Sequence, residues 1–328
     1  MKVTYIIGAM GNPLYQGDFF DRGVYKTFGQ HSFIYDLVVG MQNQGVTIDI
    51  LVDDLNSFPL ANIFLELGIS VTRYLYKEIV SSDLILIDGT SSNILLDVYL
   101  KGLVVGIVHN HLHQHSPLFY RRCKIIMCMT KHARKIQGAY VNENKVVVIT
   151  QGIDLERFKP VCAARRNRKV LIYSRMDKHK GSIYIPIVER LIKRGFEISV
   201  LGDGVNYRLM KNAFCEGVAF HEHCPCWRIH DFTKDFDVIV SNGRGVMEGM
   251  ASGKVTIAAG VEYGGLVDTS NVSFLFERNF TGSNQKDARI TVEEDIDRGM
   301  NHSMAYYRGI AEELFDVKHC INALFALL

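Results

Sequence analysis

The sequence has 328 residues, of which 48% are hydrophobic and 22% are charged. This composition is near the average of soluble globular proteins and excludes a disordered or low-complexity chain, while the length predicts about two domains. The 37 Lys and Arg residues against 35 Asp and Glu leave a formal charge of +2, so the overall charge predicts no nucleic-acid partner.

The cellular location is predicted from apolar runs and cysteines. No apolar run approaches the roughly 20 residues that a membrane-spanning helix needs. The first residues carry one lysine and a short apolar run, which is typical of a buried strand rather than of a secretion signal. Seven scattered cysteines favour a reducing compartment. We therefore expect a cytoplasmic protein without a transmembrane segment, and peripheral contact with a membrane remains open.

The first half of the chain alternates apolar runs with helix patterns. An apolar run at 3–8 ends in a glycine-rich loop, and apolar residues at helical spacing follow over 34–44. The further elements predicted in this half are strands at 46–52, 83–87, 103–108, 125–129 and 146–149 and helices at 93–100 and 131–137. This alternation predicts a parallel sheet covered by helices.

The second half repeats the alternation. Residues 150–168 contain glycine, proline and a basic cluster, and we interpret them as the interdomain linker. The elements predicted after the linker are strands at 170–173, 197–201, 238–241 and 255–258 and helices at 182–194 and 246–251, with a helical end from 304. We predict an α/β chain with two doubly wound domains, 1–158 and 159–303, followed by C-terminal helices over 304–328.

Ligands bind doubly wound sheets beyond the carboxyl ends of the strands, and two strand ends here carry informative residues. Arg175 and Lys180 follow the predicted strand 170–173 and precede a helix, so two cations and free backbone N–H groups would hold a diphosphate. After the strand 238–241, glycines let the backbone approach a ligand, and Glu248 can accept hydrogen bonds from a ribose diol. Either motif alone is also typical of a charged turn or a helix start.

Four motifs in this order resemble those of one enzyme superfamily. They are VVVITQGIDLERFKP at 146–160, VLIYSRMDKHKG at 170–181, SVLGDG at 199–204 and VMEGMASGKVTIAAG at 246–260. Together they resemble the retaining nucleotide-sugar glycosyltransferases of the GT-B fold, more narrowly the "glycosyl transferases group 1" superfamily. The resemblance implies two Rossmann-like domains that face a central cleft, with an acceptor-side N-terminal domain, a C-terminal donor domain and C-terminal helices that cross back to the N-terminal domain.

The resemblance also implies roles for single residues. Arg175 and Lys180 match the cations that hold the donor diphosphate, and Glu248 matches the second glutamate of the E-x7-E motif, which binds the ribose. His109 matches a histidine near the donor sugar, and Gly11 would approach the diphosphate from the N-terminal side. The remaining donor-binding residues are predicted to be Gly243, Arg244, Gly245 and Val246.

One departure from the superfamily pattern concerns the donor sugar. Val240 stands where the first glutamate of the E-x7-E motif is expected, so the choice of sugar is open, and we interpret Arg244 as facing the donor instead. The resemblance implies a metal-independent transfer in which Arg175, Lys180 and helix N-termini stabilise the leaving phosphate. The histidine-rich segments 109–115 and 221–226 lack the spacing of a zinc site. We expect no cofactor besides the nucleotide-sugar co-substrate.

The acceptor side is predicted from an aromatic loop over residues 9–29. Tyr15 and Phe19 in that loop, together with His111, are the acceptor-side candidates, although the aromatic rings are equally typical of a loop packed on its own domain. A saccharide, a lipid-linked acceptor or a small molecule would each fit. The sequence therefore leaves the acceptor open.

Three functions other than a glycosyltransferase are compatible with parts of this sequence pattern. The missing glutamate is compatible with a non-catalytic GT-B-like protein that binds nucleotide sugars. A sugar-nucleotide epimerase shares the GT-B fold, but it needs carboxylates and a histidine at the sugar carbons, and no such pattern stands out in the sequence. A dinucleotide-dependent oxidoreductase is disfavoured because the loop from Gly8 to Gly11 does not have the G-x-G-x-x-G spacing.

Overall fold

A computed structural model describes residues 1–8, 29–75, 77–88, 98–109, 115–161, 168–178, 181–222, 224–282 and 289–328. The chain divides into two compact units. The first unit holds Met1–Gly152 together with Val317–Leu328, and the second unit holds Ile153–Asp316. Among the helices of the described residues, none is both long and apolar enough to span a membrane.

The first unit is built on a seven-stranded parallel sheet with the strand order β3-β2-β1-β4-β5-β6-β7. Its strands are β1 Lys2–Ile7, β2 Thr47–Val52, β3 Ser70–Arg73, β4 Glu78–Asp88, β5 Val98–Val108, β6 Ile125–Cys128 and β7 Val146–Val148. Strands covered on both faces need apolar side chains at nearly every position. Accordingly, every residue of β1 after Lys2 is buried.

Helices and short 3-10 turns connect these strands. They are α1 Gly29–Asn43, α2 Ala61–Glu66, α3 Pro117–Arg122 and α4 Lys131–Gly138, with 3-10 turns at Leu55–Ser57 and Glu143–Lys145. A glycine follows the end of α1. Gly45 has a φ of +77°, its N–H donates to the Gln42 carbonyl, and the Val46 N–H donates to the Met41 carbonyl. This pair of bonds is the Schellman motif, in which glycine takes the left-handed position at low cost.

The helix predicted over 93–100 is wrong in its last three residues, which belong to β5; the others lie outside the described residues. β5 begins at Val98 and pairs with β4 from Glu78 onward. The β-branched and aromatic side chains of Val98 and Tyr99 suit a strand. Gly102 allows the extension, because a Cβ there would lie 1.9 Å from the Ser82 carbonyl oxygen. Pairing with a distant strand therefore overrides the local helical spacing.

The second unit is built on a six-stranded sheet with the order β10-β9-β8-β11-β12-β13, in which only β13 runs antiparallel among the described strands. Its strands are β8 Lys169–Arg175, β9 Glu197–Asp203, β10 Val218–His221, β11 Val238–Ser241, β12 Val255–Ala259 and β13 Tyr263–Leu266. Its helices are α5 Tyr184–Lys193, α6 Val205–Ala213, α7 Ile229–Thr233, α8 Arg244–Ala251, α9 Val272–Glu277, α10 Val292–Gly299 and α11 Met304–Phe315.

The predicted helical end consists of α11 in the second unit and a last helix, α12 Val317–Phe325, in the first. α12 packs on α1, where Gly40 leaves room for the Ile321 side chain: a Cβ at Gly40 would lie 2.8 Å from the Ile321 Cδ1 atom. Gly152 likewise lets the chain pass the start of α12, because a Cβ there would lie 2.2 Å from the Val317 Cα atom.

Candidate functional site

The carboxyl ends of β8, β11 and β12 meet at one edge of the second sheet. The register of the parallel pair sets Ser241, the last residue of β11, beside Tyr173 of β8. Ala258 of β12 lies on the other side of Ser241. β11 therefore ends beside Tyr173, two residues before its neighbour β8 ends at Arg175. We call this edge the second-unit edge.

A hydrogen-bonded network joins the strands at the second-unit edge. The Ser241 hydroxyl donates to the Tyr173 carbonyl. The Asn242 amide nitrogen lies 2.7 Å from the Ser174 hydroxyl and 3.0 Å from the Tyr184 hydroxyl, which in turn donates to the Ala259 carbonyl at 2.5 Å. Burial raises the pKa of Tyr184 to about 12, so its hydroxyl keeps its proton. These bonds fix the start of the loop after β11.

Two glycines set the beginning of α8 against this edge. Gly243 has a φ of +53° immediately before the helix, in the region that favours glycine. At Gly245 a Cβ would lie 2.1 Å from the Ser241 Oγ atom. Val246, the next predicted donor-binding residue, has a fully buried side chain. The first turn of α8 therefore brings its backbone close to the strand end, as the glycine spacing predicts.

Arg244 and Glu248 form an ion pair one turn apart on α8. The Arg244 Nε atom lies 3.3 Å from the Glu248 Oε1 atom, and the two side chains are 4% and 1% exposed. The structure thus brings together the residue interpreted as facing the donor and the residue matched to the ribose-binding glutamate. The nearby Tyr173 hydroxyl has its pKa raised by burial and then by the Glu248 carboxylate.

Arg175 ends β8 with a side chain that is 37% exposed, and its Nη2 atom lies 3.0 Å from the Asp177 Oδ2 atom. The SVLGDG motif packs against the same segment: a Cβ at Gly202 would lie 2.0 Å from the Ser174 carbonyl oxygen, and one at Gly204 2.4 Å from the Met176 carbonyl oxygen. The glycines of this motif therefore allow β9 to lie against the end of β8, which carries Arg175.

Five predicted site residues lie outside the described residues. They are Gly11, Tyr15, Phe19, His111 and Lys180. Their roles stay predictions. Within the described part of the chain, no three His, Cys, Asp or Glu side chains are grouped as a metal ion would require.

The first unit holds a second group of polar residues, at the carboxyl ends of β4 and β5. His109 follows β5 directly, and its Nε2 atom lies 2.7 Å from the Oδ2 atom of Asp88, the last residue of β4. The Gln30 side-chain nitrogen, in the first turn of α1, lies 2.8 Å from the same oxygen. The resemblance predicts a role for His109, whereas Asp88 is not among the residues predicted from the sequence. The one feature of the sequence that could have indicated Asp88 is its position as the first polar residue after the predicted strand 83–87.

Two more titratable side chains surround this carboxylate. His31 is buried, and burial lowers its pKa to about 4, with Asp88 acting in the opposite direction. Tyr5 is fully buried on β1, and its pKa is raised by burial and then by Asp88. The first unit therefore carries an acid–histidine pair at a sheet edge of the kind where ligands bind.

No protein-family model matches the sequence, and no curated protein matches it. Solved structures match over the whole chain. HepE from Anabaena, in complex with UDP and glucose, is 14% identical with a TM-score of 0.64, covering 100% of this chain and 99% of that one. Sucrose-phosphate synthase from Thermosynechococcus elongatus is 12% identical with a TM-score of 0.62, covering 100% and 98%.

An epimerase also matches. UDP-GlcNAc 2-epimerase from Neisseria meningitidis, bound to UDP-GlcNAc, is 12% identical with a TM-score of 0.55, covering 100% of this chain and 98% of that one. At these identities the likeness shows the fold. The chain has the GT-B fold, as the motifs predicted.

Proposed function

We propose that this protein is a retaining glycosyltransferase that transfers a sugar from a nucleoside-diphosphate sugar without a metal ion. The observation that carries the proposal is the second-unit edge, where the neighbouring strands β8 and β11 end within two residues of each other. HepE, which has the same fold, binds UDP and glucose in its crystal structure. The acceptor remains open among saccharides, lipid-linked molecules and small molecules.

In this proposal the second-unit edge binds the nucleotide. The N-terminus of α8, brought close to the strand end by Gly243 and Gly245, presents the partial positive charge of the helix to an anion. Arg175 is the cation at the end of the neighbouring strand β8, and a diphosphate there replaces Asp177 as its partner. Lys180 is the second cation of the pair by its position in the sequence.

The chemical step depends on the stability of the leaving diphosphate. Preorganised cations and helix dipoles lower the barrier when they meet charge that develops in the transition state. Arg175, Lys180 and the start of α8 would supply these groups. In a retaining reaction of this type the acceptor attacks from the side of the leaving group, its hydroxyl proton passes to a phosphate oxygen, and the bond from the anomeric carbon to the phosphate breaks.

Two alternatives rest on specific observations. The pair of Asp88 and His109 in the first unit is an acid–base arrangement that a sugar-nucleotide epimerase would need, and the epimerase from Neisseria meningitidis shares the fold. A non-catalytic binding protein is favoured by Val240, which replaces a carboxylate and is fully buried in β11. The experiment must therefore separate transfer, epimerisation and binding.

The first measurement is a thermal-shift panel of UDP, GDP, ADP and TDP with EDTA present. A nucleotide at about 100 times its Kd should add roughly 2.7 kcal/mol, which is several degrees in Tm. Arg175→Ala should raise the Kd of the preferred nucleotide by roughly tenfold or more, because a charge-assisted hydrogen bond is lost. Arg194→Ala, which changes an exposed arginine at the end of α5, should leave the affinity unchanged. If no nucleotide shifts Tm, the donor-site assignment is wrong.

The matching sugar nucleotide is then followed by NMR. A transferase releases the nucleoside diphosphate and keeps the anomeric configuration in the product. An epimerase inverts a carbon of the sugar without release of the nucleotide. Binding without either product supports the non-catalytic alternative and contradicts the proposed transfer.

A further inference from the structure

The Asp88 carboxylate lies at the centre of a buried group in the first unit. Its side chain is fully buried, at the end of β4. One of its oxygens, Oδ2, lies within hydrogen-bond distance of two nitrogens, at 2.7 Å from His109 Nε2 and 2.8 Å from Gln30 Nε2. The three residues come from two neighbouring strands and one helix. This position makes Asp88 able to determine the state of the histidine ring.

The hydrogen bonds define which ring nitrogen of His109 carries the proton. The nitrogen of the Gln30 amide can only donate, so Asp88 Oδ2 accepts there. An ionised carboxylate oxygen accepts from both neighbours, and His109 therefore donates from Nε2. In the neutral ring one nitrogen donates and the other accepts. Nδ1 is then the atom that can accept a hydrogen bond from a ligand.

The surroundings of the ring keep this orientation. The edge of the Phe33 ring packs against His109 at 5.3 Å between centroids. The His109 side chain is 20% exposed, whereas Asp88 is not exposed at all. The described residues provide no hydrogen-bond partner for His109 Nδ1. His109 Nε2 is thus hydrogen-bonded to a buried carboxylate. Nδ1 makes no hydrogen bond to the described part of the chain.

We propose that Asp88 is a positioning residue: it keeps His109 in the Nε2–H tautomer, so that Nδ1 accepts a hydrogen bond from a hydroxyl group of the sugar substrate. The sugar substrate in this statement rests on the proposed function. Neutral His31 adds no positive charge beside the carboxylate near neutral pH, because burial lowers its pKa to about 4. Asp88 acts through the histidine rather than on the substrate, which is why the test follows the histidine directly.

The test is NMR of the histidine side-chain nitrogens in the full-length protein at neutral pH, with His109→Gln to identify the His109 signals. The wild type should show the Nε2–H tautomer. Asp88→Ala removes the oxygen that accepts from Nε2, so the population of the Nδ1–H tautomer should rise. Asp83→Ala is the matched control: this aspartate lies on the same strand, is exposed and accepts from the Lys2 backbone N–H. It should leave the tautomer unchanged.

Turnover supplies the second readout. In Asp88→Ala, kcat should fall by about tenfold or more, while the Kd of the nucleoside diphosphate stays the same. An Nδ1–H tautomer in the wild type overturns the proposal, and this measurement needs no variant to fold. A loss of kcat with an unchanged tautomer overturns it as well. If the wild type turns over no sugar nucleotide, the proposed function fails, whereas the tautomer result still decides the role of Asp88 toward His109.

Discussion

At the scale of one residue, the candidate site depends on Gly245 because glycine has no side chain. The glycine lies in the first turn of α8, against the hydroxyl of Ser241 and the ring of Tyr173. The sequence predicted that glycines here bring the backbone close to a ligand. The structure adds that the first requirement is internal, because α8 must also approach the strand ends of its own sheet.

We expect Gly245→Ala to destabilise the second unit. Its Cβ would lie 2.1 Å from Ser241 Oγ and 3.0 Å from Tyr173 Cδ1, and overpacking of this kind costs about 1–3 kcal/mol. The matched control is Gly309→Ala in α11, where a Cβ meets nothing within 4 Å. Alanine favours a helix interior by roughly 1 kcal/mol, so this variant should be more stable. Urea unfolding of both variants checks the prediction, and an equal effect of the two substitutions would contradict it.

Helix α12 shows at the scale of an element what holds the first unit together. It follows α11 after Asp316, but it packs on α1, far away in the sequence. Its buried residues are Val317, Cys320, Ile321 and Leu324, at the spacing of one helix face. The last residues of the chain therefore complete the core of a unit that begins at Met1.

Two leucines of the chain end provide a matched pair for this element. Leu324 is fully buried and Leu328 is 57% exposed. Leu324→Ala should cost about 2–5 kcal/mol, because it removes buried methyl groups and leaves a cavity. Leu328→Ala should change stability by less than about 0.5 kcal/mol. Protease resistance of α1 in the two variants is the measurement. Equal cleavage in both would mean that the packing of α12 on α1 contributes no stability.

Strand β5 illustrates how an element is misassigned from local pattern. Its first residues were predicted as the end of a helix, because apolar side chains at short intervals suit either structure. In the folded chain Val98 pairs with Glu78 of β4, and the irregular pairing near Ser81 is accommodated by Gly102. The partner strand lies outside any local window, so the choice between helix and strand is made only by tertiary pairing.

At the scale of the whole molecule, stability depends on pH, and the buried His31 contributes to this dependence. Burial lowers the pKa of His31 to about 4, against about 6.5 in the unfolded chain. Between these values the unfolded state binds a proton that the folded state does not. The free energy of unfolding therefore decreases as the pH falls from about 6.5 toward 4, by on the order of 3 kcal/mol in full.

We expect His31→Gln to reduce this loss of stability in the first unit. Hydrogen exchange of the α1 amides, corrected for the intrinsic pH dependence of exchange, should accelerate less on acidification in the variant than in the wild type. His230→Gln is a control in the second unit, where burial also lowers a histidine pKa. This control should leave the exchange of α1 unchanged. The same pH dependence of α1 in wild type and His31→Gln would contradict the assignment.

The sequence by itself determined an α/β chain of two units, the positions of most strands and the glycine-rich segments at the second-unit edge, and the GT-B fold followed from the resemblance of its motifs to a superfamily. These features depend on local pattern: apolar runs mark strands buried on both faces, and glycines mark tight turns and close contacts. Only the tertiary structure decided which side chains meet. The pairing of Asp88 with His109 joins residues 21 positions apart, and α12 joins the first unit from the far end of the chain. Such partners are set by how whole strands and helices pack, which no local sequence pattern encodes.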